Sequence, residues 1–341
     1  MSVTNDLLSD DDRRLQVQGL GFRLVSAFLT HNVSRVAISD LFDSFSEEHI
    51  GKTVDSLIDT TQLLFAGGNA RPPGFLLFPK FAKFKQDVIP AYPLLGLIVA
   101  AAKHVAYNEA AGHGVTLTQN DTLNLRSLTE QLFREALCTQ KWAGSGDSKL
   151  RSWLDDHFSA PSELNGRGNV PYPGHLINAA STYDLTEWET YLNSLEPTNH
   201  PHADKNSTFF AFWIQYLYDA RVPGCLPLGA VEFDHIVPFQ DTPRSMSTHP
   251  LNLAAVSERL NAQKKKRTFN SWAPQGVDAA AYQLQALDGV SVTVNGVAAP
   301  GTSYLQGATH SALPRVIAER RAIVEFALRS LLPDWISNGD G

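Results

Sequence analysis

Hydrophobic residues along the chain first recur at helical spacing. Val17, Leu20, Leu24, Ala27 and Phe28 fall within a stretch, from 12 to about 58, that predicts helices. Ser39 or Asp40 is placed to cap a second helix before Leu41 and Phe42. The run GGNARPPG, residues 67–74, breaks the pattern, and helical periodicity returns over 88–111 and 122–138. Next comes KWAGSGDSKLRSWLDDHF, residues 141–158, in which a Gly-Ser turn feeds a helix with Leu150, Trp153, Leu154 and Phe158 on one face. Ser145 or Asp147 is its natural N-cap. The turn reads either as an anion site made by free amides at a helix start, or as a capped helix packing on Trp142.

Residues 162–206 are rich in Pro, Asn, Gly and His and predict loops around one or two short helices. His200 and His202 are separated by Pro201 and have no carboxylate at ligand spacing before Asp204, so they read as loop rather than as a metal pair. The segment TFFAFWIQYLYDAR, residues 208–221, is apolar nearly all round and predicts a buried helix ending before Pro223 and Gly224. It delivers the chain to VEFDHIVPFQ, residues 231–240, whose β-propensity predicts a short buried strand. A carboxylate and an imidazole inside such a strand are costly unless they have a task.

Composition narrows what the task is. The chain has 341 residues, 43% of them hydrophobic, enough for one large domain or two modest ones. The formal net charge is −7, so contact with nucleic acid requires a local basic patch against a repulsive overall field. Cys138 and Cys225 are the two cysteines and lie far apart, which excludes a paired-cysteine zinc site and a disulfide framework and suits a reducing, cytoplasmic location. The start, MSVTNDLLSDDDRR, is acidic and polar, unlike an export signal. The most apolar segment, residues 88–102, is too short and too broken by proline for a membrane span and reads as a core helix.

After the strand, the sequence closes a polar loop on Leu251-Asn252-Leu253 and enters a helical stretch carrying Asn261-Ala262-Gln263-Lys264. The order DHIVP, then NL, then NAQK resembles the HNH, or His-Me finger, ββα-metal endonucleases in residue type, order and spacing. The resemblance implies that His235 is the general base and that Asp234 and Asn261 hold Mg²⁺ or Mn²⁺. It implies that Asn252 braces the loop so that the base points correctly, and that Lys264 approaches backbone phosphate. The chemistry suits these types: imidazole takes up a proton near neutral pH, and carboxylate and amide oxygens suit a hard cation. The run Lys264-Lys265-Lys266-Arg267 is also the densest positive charge in the chain and the candidate DNA phosphate-binding patch.

The sequence departs from the family in two respects. Paired CxxC motifs for a structural zinc are absent, so no structural zinc is expected, and the loop reads DTPRSMSTHP where the family often has Gly-Gly. His249 reads as a polar loop residue, and Glu232, on the strand face of Asp234, as either a partner of the site or a surface carboxylate. A weaker resemblance, over about 120–335, is to the C-terminal half of bacterial restriction proteins that join a nucleotide-binding domain to an HNH domain. It implies phage defence and other defence-system proteins as partners. No DGQQR or GxxxxGK[ST] motif supports nucleotide dependence.

The expected protein is α-rich (α+β). A helical domain over 1–160 is followed by a loop-rich connection and buried helix over 161–223. An HNH nuclease domain over 224–341 closes with a hairpin at GVSVTVNGVAAPG and a helix over 316–332. The expected activity is metal-dependent hydrolysis of DNA without membrane attachment. The alternative is a non-catalytic DNA-binding or scaffold subunit that keeps the fold. The sequence leaves the oligomeric state open.

Overall fold

The computed structural model describes residues 20–65, 91–142, 146–158, 183–195, 205–227, 231–238 and 248–337. These are rich in helix and contain two antiparallel two-stranded sheets. The chain divides into two compact units, with the boundary between Tyr183 and Asp184. The expectations for the acidic start, the 67–74 breaker, His200 and His202, and most of the loop before His249 fall outside the described residues.

In the first unit, helices α1 (Leu20–Thr30), α2 (Arg35–Ser39), α3 (Leu41–Ser44), α4 (Glu47–Phe65), α5 (Ala91–Ala110), α6 (Gln119–Leu137) and α7 (Gly146–His157) follow one another. Helix α5 lies at the centre, packed by α1, α4, α6 and α7. This explains why its run from Leu94 to Ala102 is apolar on every side. Among the described residues no helix is long and apolar enough to cross a membrane. Gly96 permits the close approach of α7, since a Cβ there would stand 3.2 Å from Trp153 Cζ3. Leu150, Trp153, Leu154 and Phe158 are all buried as their spacing predicts, and Trp153 packs on Trp142. Asp147, in the first turn of α7, takes a hydrogen bond from Tyr92, while residues 143–145 of the expected anion turn lie outside the described residues.

The caps differ in part from expectation. Asp40 precedes α3 but keeps helical dihedrals, φ −79° and ψ −5°, and makes no side-chain cap. An extended backbone is what lets a capping side chain fold back, and Ser34, at ψ 156°, does so for α2. Helix α6 starts in a capping box in which Thr118 and Asp121 exchange side-chain and backbone hydrogen bonds.

Lys103 of α5 is 4% exposed and donates to the Phe28 carbonyl at 3.2 Å, with its ammonium over the rings of Phe28 and Phe158. Burial pulls its pKa down to about 7 from an ordinary 10.5. The unfolded chain therefore binds a proton that the folded unit does not, over the window between those values. Stability should rise with pH from about 7 to about 10.5 and be lost again as pH falls through 7. Urea midpoints at several pH values should show this slope in the wild type and lose it in Lys103→Met; an unchanged slope would place the titration elsewhere.

The second unit begins with α8 (Thr186–Ser194) and α9 (Lys205–Asp219), in which every residue from Ser207 to Tyr218 is buried. Strand β1 (Val231–His235) pairs antiparallel with β2 (Leu253–Ser257), in the register Asp234 opposite Ala254 and His235 opposite Leu253. A 3₁₀ turn (Pro250–Asn252) precedes β2, and α10 (Glu258–Lys264), α11 (Phe269–Trp272) and α12 (Gly276–Gln285) follow it. The predicted hairpin is β3 (Thr293–Val294) with β4 (Val297–Ala298), turning on Asn295-Gly296 at φ 51° and 81°, as a two-residue turn requires. The closing helix starts earlier and runs further than predicted, as α13 (Leu313–Phe326), a π turn (Ala327–Leu331) and α14 (Leu332–Ser337).

Helix α9 falls in this unit, and its polar side chains tie it to the strands. Gln215 donates to the carbonyls of Ala255, at 2.7 Å, and Cys225, at 3.1 Å, and accepts from the Ala255 amide at 2.6 Å. Tyr218 donates to the Ile323 carbonyl at 3.0 Å. The edge of β2 that faces away from β1 is thus served by side chains. Arg320 of α13 donates to the Leu253 carbonyl at 2.8 Å, and Gln285 of α12 accepts from the Ser257 amide at 2.9 Å. Buried backbone groups need such partners, and among the described residues no third strand supplies them.

Candidate functional site

Two strands and a short helix bring the sequence motif together. Ser257 ends β2 and caps α10, its side chain accepting from the Leu260 amide, so the helix turns back at once over the strands. It packs on both β1 and β2. Beyond β1 the chain is held by Asn252, which is fully buried. Its Oδ1 accepts from the Val237 amide at 2.9 Å, its Nδ2 donates to the Val237 carbonyl at 3.0 Å, and its own carbonyl accepts from the Ile236 amide at 2.9 Å. Three bonds therefore fix the two residues after His235. His249 accepts from the Leu251 amide at 3.1 Å and starts the 3₁₀ turn. Burial lowers its pKa, consistent with this acceptor role.

Strand alternation gives Glu232 and Asp234 one side of β1, and Val231, Phe233 and His235 the other. Across from the first side, Asn261 and Lys264 lie three residues apart on α10. Two strand-to-helix pairs result. Asn261 Nδ2 donates to Glu232 Oε2 at 2.7 Å, and Lys264 Nζ lies 3.1 Å and 2.9 Å from the two oxygens of Asp234. A carboxylate only accepts, so Glu232 fixes the Asn261 amide with its oxygen left as the acceptor end. Glu232 is thus a partner of the site rather than a surface carboxylate.

Asp234 is 3% exposed and Lys264 0%. Lys264 also donates to the His235 carbonyl at 2.8 Å, and the Tyr282 hydroxyl of α12 donates to Asp234 Oδ2. Complete burial, followed by the charge of Asp234, pushes the Tyr282 pKa well above its ordinary value, so the phenol stays a donor. A buried pair of this kind is costly to break from one side, at about 3–5 kcal/mol.

The basic run is divided by the end of α10. Lys265 takes φ 54° and ends the helix, and Lys265, Lys266 and Arg267 are exposed. Lys264 differs from the expected phosphate contact, because its ammonium points inward and is held by Asp234 and a carbonyl. The expected donors Asp234 and Asn261 are on the same side of β1, whereas His235 leaves from the other, at the strand end. Tyr282 and Gln215 were not singled out by sequence; the Asp234 partner of Tyr282 lies 48 residues away and the Ala255 partner of Gln215 lies 40 away, and neither belongs to a spaced motif.

Comparison with protein-family models, curated proteins and solved structures finds no match to the chain. Among the described residues no group of three or more His, Cys, Asp and Glu side chains is placed to hold a metal. The donor set available is smaller and of another kind: the Asp234 carboxylate, held by Lys264 and Tyr282, and the Asn261 amide oxygen, the end left over by its bond to Glu232, both hard donors. Oxygen donors of this chemistry are the kind that suit Mg²⁺ or Mn²⁺.

Proposed function

We propose that the second unit is a metal-dependent HNH-type endonuclease acting on DNA, with β1, β2 and α10 as its ββα unit. The observation that carries this reading is the joint placement of Asp234 and Asn261 on facing elements, beside a His235 whose following backbone is clamped by Asn252. When bound, the cation supplies charge stabilisation for the phosphoryl and leaving oxygens. Asp234 and Asn261 would hold it, with Glu232 fixing the Asn261 amide by taking its N–H. His235 accepts the proton of the attacking water, and Asn252 sets its position by fixing the chain at Val237. Lys265, Lys266 and Arg267 offer exposed positive charge to the DNA backbone. A role in phage defence, in the cytoplasm and alongside other defence proteins, follows from the weaker restriction-protein resemblance.

The test is incubation of the pure chain with supercoiled plasmid and Mg²⁺, with and without chelator. A single base and a single donor set address one strand per encounter, so open-circular DNA is expected first and linear product later. Linear product from the start, at concentrations where sedimentation shows only monomer, would overturn the single-site account. The closed state of Asp234 favours a second reading, a non-catalytic DNA-binding module. It predicts that the protein retards plasmid with no change of topology in any metal.

A further inference from the structure

Lys264 is the fully buried cation of a site whose carboxylate is needed elsewhere. Its ammonium spans both oxygens of Asp234 and the His235 carbonyl, and Tyr282 holds Asp234 from a third direction. We propose that Lys264 is a built-in counter-ion occupying the divalent-cation position, so that metal loading and release of Lys264 from Asp234 are one exchange. The inference rests on the nuclease reading and adds to it a gate on the metal site.

The physical case is a competition for one acceptor. Asp234 is too buried to stand unpaired, and a buried carboxylate left without a partner is strongly unfavourable. The ionised carboxylate therefore needs a cation beside it, and Lys264, 2.9 Å away, is the one in place. It is tethered by its own helix and hence at high local concentration. A divalent cation brings twice the charge and can also take the Asn261 oxygen, the acceptor end left by the bond of its amide N–H to Glu232. Lys264 then needs a new place, and it stands one residue from the point where α10 ends and the chain becomes exposed at Lys265. The released ammonium joins Lys265, Lys266 and Arg267, so the phosphate-binding patch gains a member only when the site is loaded. The sequence expectation for Lys264 then describes the loaded state, and the ion pair describes the empty one.

Mn²⁺ alone serves as the probe. Titration calorimetry of the full chain should give an Mn²⁺ affinity that rises at least about tenfold in Lys264→Gln, because the apparent affinity of the wild type is reduced by the fraction of molecules in which Asp234 is free. Asp234→Asn should lose the site. Because Lys264→Gln can fail to fold, the wild type is also acylated with an amine-directed reagent and read by mass spectrometry. Lys264 should resist labelling without metal and become reactive at saturating Mn²⁺, while Lys265 and Lys266 label in both states. Mn²⁺ binding with Lys264 still protected would overturn the exchange and leave the nuclease reading standing. So would labelling of Lys264 as fast as Lys265 in the absence of metal. No Mn²⁺ binding by either wild type or a folded Lys264→Gln would overturn both.

Discussion

Replacing His235 by alanine is expected to lower Mg²⁺-dependent plasmid nicking by at least about a hundredfold, the usual contribution of a positioned general base. The fold should survive, because the backbone at this position keeps its place opposite Leu253 and its carbonyl still accepts from Lys264. Thermal denaturation should therefore move little, and Mn²⁺ binding measured by calorimetry should persist through Asp234 and Asn261. Nicking by the alanine variant at the wild-type rate would remove His235 from the reaction. Loss of nicking together with loss of Mn²⁺ binding would mean that the substitution had disturbed the donor set rather than the proton transfer.

The second large effect concerns the support of the site. Gln215→Leu keeps a buried side chain of similar size but strands the Ala255 amide and the carbonyls of Ala255 and Cys225, all now bonded to Gln215. Leaving buried backbone groups without partners costs about 1–3 kcal/mol each, and relaxation recovers part of that sum. We expect the second unit to lose about 2–5 kcal/mol of stability, the range of the more damaging core substitutions. Urea unfolding followed by tryptophan fluorescence, which reports on the buried Trp213 of α9 and Trp335 of α14, measures it. A loss below about 0.5 kcal/mol, the scale of an ordinary surface change, would show that water or a shifted helix replaces the clamp.

Local spacing made much of this architecture readable. The apolar face of α7, the all-round apolar stretch of α9 and the Asn-Gly turn between β3 and β4 each follow from residues within a dozen positions of one another. The order of strand, turn and helix that carries Asp234, Asn252 and Asn261 was readable for the same reason, since these elements are nearly consecutive. What sequence could not show was direction. Four adjacent basic residues look alike in a string, yet the helix end at Lys265 sends Lys264 into the interior and leaves the next three outside. Tyr282 was hidden because its phenol meets Asp234 only after α12 folds across β2, and a lone aromatic on an amphipathic helix reads as core. The tie between α9 and β2 was hidden for a similar reason, because Gln215 sits inside a stretch that reads as apolar nearly all round.

The way β2 is completed also bears on how copies of this protein can meet. A strand edge with open amides and carbonyls is a template on which another chain can add a strand, and proteins commonly guard such edges with charge, proline or a covering element. Here the guard is built from Arg320, Gln215 and Gln285, whose side chains take the outward groups of Leu253, Ala255 and Ser257 one after another. Recruitment of a partner by strand addition is therefore closed on this flank while α9, α12 and α13 are in place. Anything that lifts α9 away reopens it, so the same helix that supports the site also stands between the folded molecule and self-association through β2.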